Sequence, residues 1–139
     1  MIEYVFVEPS SEHLFAEIVA LYRAMGWWGD VPDDLGSVSR LVGGSHAFVA
    51  ALDDGAVIGV GRALSDRESD AYIQDVAVLT DRRRQGVGGE IVRRLIVRLE
   101  DDGIGWIGLV AEPGAKQLYQ HQGFAPMPGT VAMVRRRRL

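Results

Sequence analysis

The sequence predicts a single α/β (α+β) domain: a mixed, twisted sheet of six to seven strands and about four helices, in the order β-α-α-β-β-β-α-β-α-β. Three observations predict it. Short β-rich runs alternate with segments of helical periodicity along all 139 residues. An Asp-Gly turn joins two apolar runs near mid-chain. A strand, a long amphipathic helix and another strand then follow one another, which predicts a right-handed parallel crossover.

The N-terminal third predicts one strand and two helices. Residues 2–7 are β-rich and precede a proline, as a first strand would. Ser10-Ser11 can cap a helix that ends at Gly26, followed by a loop over residues 27–32. A second helix is predicted from about residue 33 to 42, with two glycines as its stop. The apolar face of the first helix consists of Leu14, Ile18, Leu21, Tyr22 and Met25.

The middle of the chain predicts a hairpin and a central strand. Residues 46–52 and 56–64 are two strands joined by Asp53-Asp54-Gly55. A polar loop over residues 65–70 leads to a central strand over residues 71–79, which is almost entirely apolar toward its end.

The last third predicts the long helix over residues 86–102, then a strand over 106–111, a short helix over 113–121 and a last strand over 130–134. The buried face of the long helix is predicted to consist of Val87, Ile91, Val92, Leu95, Ile96 and Leu99. With no repeat and no linker-like segment, one domain over residues 1–139 is expected.

Composition excludes several classes of function. The net charge of −4 does not favour nucleic acid as a partner. There is no cysteine, hence no disulfide, thiol nucleophile or Cys-ligated zinc, and the three histidines show no metal-ligand spacing. No signal peptide or membrane-spanning run is recognised, so a cytoplasmic protein without metal and without membrane contact is expected.

An arginine-rich turn followed by glycines joins the central strand to the long helix. It runs Val76-Ala77-Val78-Leu79-Thr80-Asp81-Arg82-Arg83-Arg84-Gln85-Gly86-Val87-Gly88-Gly89. Glycines let the backbone approach a guest closely, and the N–H groups at a helix N-terminus point toward it. The turn therefore predicts an anion site. It has no Gly-Lys-Ser/Thr sequence, so it is not a P-loop.

Two motifs and the element order resemble the GCN5-related N-acetyltransferase (GNAT) superfamily. Arg83-x-x-Gly86-x-Gly88 is similar to its acyl-CoA-binding motif, and Leu118-Tyr119-x-x-x-Gly123-Phe124 to its late Tyr-Gly-Phe signature. The resemblance implies acetyl-CoA as co-substrate, with its pyrophosphate on turn N–H groups and its pantetheine arm along the central strand. The cofactor-binding residues so implied are Val76, Ala77, Val78, Arg83, Arg84, Gln85, Gly86, Val87, Gly88 and Gly89.

Catalysis is assigned first to Tyr119, whose phenol could protonate the leaving thiolate as a general acid. The family's frequent glutamate on the central strand is replaced here by Tyr72. The general base therefore stays open between Asp75, Glu112 and an ordered water. Strand alternation puts Asp75 on the face opposite Tyr72, Gln74 and Val76 unless a bulge intervenes.

The acceptor side is predicted from aromatic and acidic residues. Trp27 and Trp28 lie in a region that the resemblance assigns to the acceptor pocket, together with Tyr72 and Gln74. Adjacent indoles can stack on an amine or pack in the core. The acids Asp30, Asp33 and Asp34 could attract a cation or favour a helix start.

The resulting hypothesis is an N-acetyltransferase in which a primary amine of a small molecule or peptide attacks acetyl-CoA directly. The alternative is a non-catalytic acyl-CoA-binding module or a subunit that depends on a partner. A homodimer is possible, and the identity of the acceptor is open. The run Arg135–Arg138 is interpreted as a solvated strand end rather than a nucleic-acid arm.

Overall fold

The computed structural model describes residues 1–29 and 35–137. Two short 3-10 turns, over Glu12–Leu14 and Thr80–Arg82, precede the first and third helices. The regular elements, in chain order, are β1 (Ile2–Phe6), α1 (Phe15–Ala24), α2 (Leu35–Gly44), β2 (Ala47–Asp53), β3 (Ala56–Ser65), β4 (Asp70–Val78), α3 (Val87–Asp101), β5 (Trp106–Gly108) and α4 (Lys116–Gln120).

The strands form one mixed sheet in the order β1-β2-β3-β4-β5. The pairs β1–β2, β2–β3 and β3–β4 are antiparallel, whereas β5 runs parallel to β4, as the predicted crossover requires. In the β2–β3 hairpin, Asp54 and Gly55 have φ values of 50° and 84°. Two consecutive positive φ values characterise a type I′ turn, so the hairpin prediction is confirmed.

Apolar cores lie on both faces of the sheet. One lies under α1 and α2 and includes Ile18, Tyr22 and Phe48. The other lies under α3 and includes Ile91 and Leu95. The predicted helix faces are confirmed, because the side chains assigned to the core by periodicity are buried or packed against it.

The strands predicted in the C-terminal part of the chain differ most from the structure. The described residues form five strands rather than six to seven, because residues 130–134 lie outside the sheet. A β-rich sequence becomes a strand only beside another strand, and no described strand lies beside this segment. The fifth strand ends at Gly108 rather than residue 111.

The helix starts also shift. Residues 12–14 form a 3-10 turn and α1 begins at Phe15, while the Ser11 hydroxyl accepts from the Glu8 N–H instead of capping a helix. The second helix runs through both glycines predicted to stop it, and the predicted start near Asp33 lies outside the described residues. The fourth helix begins at Lys116 rather than residue 113.

Candidate active site

A β-bulge in β4 shapes the site. Arg62 pairs with Gln74 and Val60 pairs with Ala77, so two residues of β4 stand opposite the single Gly61 of β3. One of the two is Asp75, which has a φ of 58° although it is not a glycine. A bulge of this kind bends its strand and re-aims the side chains after it.

The bulge corrects the expected orientation of Asp75. Asp75 Oδ2 accepts a hydrogen bond from Arg62 Nε at 2.7 Å and from the Tyr22 hydroxyl at 2.8 Å. Since Tyr22 belongs to the core under α1, Asp75 faces that side. Tyr72 and Gln74 alternate with residues that pack under α3, so they share the face of Asp75, contrary to the expectation from strict alternation. Val76 packs against the core under α3 and lies opposite Asp75, as expected. Burial, and next the charge and hydrogen bond of Asp75, raise the pKa of the Tyr22 phenol.

A cleft of about 210 Å³ lies over this part of β4. It brings together residues from four separate parts of the chain, including the predicted catalytic tyrosine, three predicted acceptor residues and both candidate carboxylates. Its lining residues are Trp27, Tyr72, Ile73, Gln74, Asp75, Val76, Val110, Glu112 and Tyr119.

Tyr119 reaches the cleft from α4. Its ring packs edge-on against Phe124, with centroids 5.9 Å apart. Burial, and then the negative charge of Glu112, raise the pKa of the Tyr119 phenol. Tyr119 is therefore a neutral hydroxyl at physiological pH, able to donate a hydrogen bond or a proton.

The two adjacent tryptophans have different positions. Both contact the Tyr22 ring edge-on, with centroids at 5.3 Å for Trp27 and 5.0 Å for Trp28. Trp27 is 40% exposed and lines the cleft. Trp28 packs against the core under α1 and α2 and does not line it. The predicted acids Asp30, Asp33 and Asp34 lie outside the described residues.

The fourth and fifth strands separate beside the cleft. Their pairing ends at Tyr72 and Gly108, while β4 continues to Val78. The Leu79 N–H donates to the Ile58 carbonyl on β3 at 2.9 Å. Because successive residues of a strand direct their backbone groups to opposite sides, the N–H and C=O of Val78 point into this opening. The Val78 carbonyl accepts from Arg83 Nε at 3.2 Å.

The glycine turn follows at the far end of the opening. Arg84 and Gly86 have φ values of 65° and 79°, and Gly86 is the N-cap of α3. The N–H groups of Val87, Gly88 and Gly89 belong to the first helical turn and so have no acceptor within the helix. A Cβ placed on Gly86 would meet no atom within 4 Å, so the turn is open to a guest.

The arginines of the turn have separate roles. Arg82 forms an ion pair with Asp53 at 2.6 Å, which ties the turn to the β2–β3 hairpin. Arg83 donates to the Val78 carbonyl, and Arg84 and Gln85 are exposed beside Gly86. The bonded role of Arg82 could not be read from sequence, because its partner is 29 residues away.

The glycines after the turn also hold α4 in place. A Cβ on Gly88 would lie 3.2 Å from Leu118 Cδ1, closer than nearly all real Cβ contacts. Gln122 Nε2 donates to the Gly89 carbonyl at 3.1 Å. Both contacts fix α4, and with it Tyr119, against the start of α3. Gln122 was missed from sequence, although it lies inside the Tyr-Gly-Phe signature.

Residues 1–29 and 35–137 contain no group of three or more His, Cys, Asp or Glu placed to hold a metal ion. In the same part of the chain, no helix combines the length and apolarity needed to cross a membrane.

A mixed sheet that opens between two parallel strands, with a glycine turn at one end and a tyrosine-lined cleft beside it, defines an α/β domain of the acyltransferase type. The chain belongs to the acetyltransferase (GNAT) family, whose model matches residues 7–124. The family membership predicted from the two motifs is thus confirmed.

Curated relatives carry N-acetyltransferase names. An uncharacterized N-acetyltransferase ycf52 of Gracilaria tenuistipitata is 36% identical over 75 residues, 54% of this chain and 41% of its own. Another, of Pyropia yezoensis, is 29% identical over 119 residues, 83% of this chain and 67% of its own. The chain thus spans well under half of the Gracilaria relative.

Solved structures confirm the fold. Glucosamine-6-phosphate N-acetyltransferase of Arabidopsis thaliana superimposes with a TM-score of 0.81 at 17% identity, covering 98% of each chain. A GNAT family protein of Streptococcus pneumoniae gives 0.76 at 23% identity over 100% of each chain. At these identities the likeness concerns the fold alone.

Proposed function

We propose that this protein is an N-acetyltransferase that moves the acetyl group of acetyl-CoA to a primary amine of a small molecule or peptide. One observation carries the proposal. The opening between β4 and β5 has free helix N–H groups at one end, the Val78 N–H along its wall and the Tyr119 cleft beside it. Membership of the acetyltransferase family and the names of the relatives support it.

The residues of the opening fit acetyl-CoA. The N–H groups of Val87, Gly88 and Gly89 would hold the pyrophosphate, with Arg84 and Gln85 beside it. The backbone from Val76 to Val78 would run along the pantetheine arm, which matches the absence of pairing to β5 after Gly108. The bound co-substrate supplies an acetyl group activated as a thioester.

The chemistry then falls to two groups of the chain. The Val78 N–H would stabilise negative charge on the carbonyl oxygen under attack. As the amine nitrogen bonds to the acetyl carbon and the carbon–sulfur bond breaks, Tyr119 would give its proton to the departing sulfur. Without a cysteine, no acyl-enzyme on a thiol is available, so the amine attacks directly in a ternary complex.

Proton removal from the amine has three candidate acceptors: Asp75, Glu112 and water. Asp75 Oδ2 already accepts hydrogen bonds from Arg62 and Tyr22, so it is less available to take a proton from the amine. Glu112 is exposed and lines the cleft, so an amine or a water molecule in the cleft can reach its carboxylate. The geometry favours Glu112 or a water that it orders.

The cleft favours an amine carried on an apolar or aromatic body. Trp27, Tyr72 and Tyr119 supply aromatic walls, and Glu112 supplies negative charge for an ammonium group. The relative from rice named serotonin N-acetyltransferase 2, chloroplastic is 32% identical over 92 residues, which cover 62% of this chain and 46% of its own. That name agrees with a primary amine carried on an aromatic body as acceptor. A cytoplasmic location stays a prediction.

The test has two parts. Calorimetry with acetyl-CoA should give saturable micromolar binding. Release of free thiol should then be followed with a panel of aromatic, polyamine and amino-sugar acceptors. Binding with acceptor-dependent thiol release supports the enzyme. Binding with no release for any acceptor would support the alternative, a non-catalytic acyl-CoA-binding module. Absence of binding would contradict both.

A further inference from the structure

A second cleft, of about 270 Å³, lies at the end of the sheet away from the glycine turn. It is bordered by the end of β1, the segment between α2 and β2, the loop before β4 and the C-terminal half of α3. The glycine turn follows β4, whereas this cleft lies beside the loop that precedes β4. Among the described residues, the second cleft shares no lining residue with the cleft over β4. It is therefore separate from the proposed acetyl-transfer site.

Two arginines of the second cleft are held in place. The guanidinium carbon of Arg98 lies 3.9 Å from the centroid of the Phe6 ring, so stacking on the ring fixes its position. Arg67 Nη2 donates to the Ser45 carbonyl at 3.2 Å. A guanidinium carries five N–H donors, and these contacts occupy few of them. Most of the donors of both side chains are therefore available to a ligand.

The loop that carries Arg67 is also fixed. The carboxylate of Asp66 accepts hydrogen bonds at 2.8 to 3.0 Å from the backbone N–H groups of Ser69, Glu68 and Asp70. These bonds hold the pKa of Asp66 far below its usual range. The negative charge of Asp66 is thus compensated by N–H groups of its own loop, and it forms no ion pair with Arg67 within the described residues.

Positive charge exceeds negative charge in the second cleft. Within residues 1–29 and 35–137, neither Arg67 nor Arg98 forms an ion pair with a carboxylate. Asp102, four residues after Arg98, pairs instead with His46 Nε2 at 2.7 Å. Of the described residues that line the cleft, Glu8 is the one acid, and it is exposed. Two positioned guanidinium groups against one carboxylate favour an anion.

We propose that the second cleft is a binding site for a small molecule that carries an oxyanion group, either carboxylate or phosphate. Arg67 and Arg98 bind this group, because the guanidinium fork matches the geometry of its oxygens. The Phe6 ring and the His46 ring, whose side chain is 4% exposed, form walls of the cleft. Its volume leaves room for an organic body beyond the oxyanion group. The inference does not depend on the proposed acetyl transfer.

The first experiment titrates the isotope-labelled chain with inorganic phosphate and, separately, with succinate. Ionic strength is held constant with sodium chloride. Amide NMR resonances of residues 45–48 and 67 should shift saturably with at least one of the two anions, with a dissociation constant of roughly 1 mM. The anion that binds more tightly identifies the preferred oxyanion. Shifts that fail to saturate with both anions would overturn the proposal.

Variants then test the two arginines. Arg98→Gln should weaken binding by roughly tenfold or more. Arg93→Gln removes the same charge from the same helix, outside the cleft, and should leave binding nearly unchanged. Because Arg98 also packs on Phe6, Arg67→Gln serves as a second variant with an exposed side chain, and it should weaken binding similarly without altering the circular dichroism spectrum. Equal weakening by Arg93→Gln and both cleft variants would mean that only general attraction is measured.

The acid of the cleft gives a test of opposite sign. Glu8→Gln removes a like charge from beside the bound oxyanion, so it should tighten binding by about threefold at low ionic strength. Weaker binding in this variant would contradict an oxyanion as the ligand.

A last control separates the second cleft from the glycine turn, to which phosphate is also expected to bind. In Gly86→Glu, the shifts of residues 45–48 and 67 should persist. Their loss would place the anion in the turn and overturn the second site. Persistent shifts in a chain that binds no acetyl-CoA would contradict the proposed function alone.

Discussion

The glycine turn and the cleft over β4 are built in opposite ways. The turn is contiguous from Arg82 to Gly89 and presents mainly backbone N–H groups. The cleft joins side chains from the loop after α1, from β4, from the segment after β5 and from α4. The shape of the turn therefore depends on local backbone conformation, whereas the shape of the cleft depends on contacts between distant segments. Substitutions should affect the two regions in different ways.

The largest effect is expected in the turn. Gly86→Glu places a side chain at a φ of 79° and a negative charge where the pyrophosphate would lie. Affinity for acetyl-CoA should fall by roughly 100-fold or more, about 2.7 kcal/mol, as measured by calorimetry.

The matched control is Gly103→Glu at the other end of α3. Gly103 has a φ of 87° and equally open surroundings. A glutamate there therefore meets the same backbone strain and adds the same charge, but far from the turn. It should lose about 1 kcal/mol of stability and keep its affinity. Equal losses of affinity in the two variants would mean that the turn does not hold the phosphates.

The next largest effect is expected under the cleft. Asp75→Asn removes the charge that pairs with Arg62, whose side chain is 11% exposed. Breaking a largely buried pair leaves the arginine uncompensated, so we expect a loss of about 2–3 kcal/mol in the free energy of unfolding. Urea unfolding measures it, with the exposed Asp101→Asn as control. Unchanged stability together with lost turnover would instead make Asp75 the base.

The third prediction concerns Tyr119. Tyr119→Phe should lower kcat by roughly 10- to 30-fold and leave acetyl-CoA affinity unchanged, because only proton donation is lost. Tyr4→Phe, which lies outside the cleft, is the control. Burial, and then the charge of Glu112, raise the pKa of the Tyr119 phenol above its usual value, so it stays protonated through neutral and mildly alkaline pH. A decline of activity in that pH range that is absent from Tyr119→Phe would contradict the assignment.

The same contrast explains what could be predicted from sequence. Periodicity identified the buried face of α3, and spacing identified the turn, because both depend on neighbouring residues. The orientation of Asp75 depends on a bulge in β4. The sequence signal for that bulge was Gly61, which lies opposite it on β3. A Cβ on Gly61 would lie 2.6 Å from Ile91, so α3 packs directly on the strand backbone there. A glycine inside a strand marks such an approach or a bulge. The ion pair of Arg82 with Asp53 had no such signal.

The smallest effect separates the two tryptophans, which sequence could not distinguish. Trp27→Ala should raise KM for the acceptor by roughly fivefold, about 1 kcal/mol, with little change in stability, because its ring is partly exposed and lines the cleft. Trp28→Ala should cost about 2 kcal/mol of stability and leave KM nearly unchanged, since its ring packs in the core. Thermal unfolding and steady-state kinetics on both variants make the comparison. The reverse pattern would mean that Trp28, and not Trp27, contacts the acceptor.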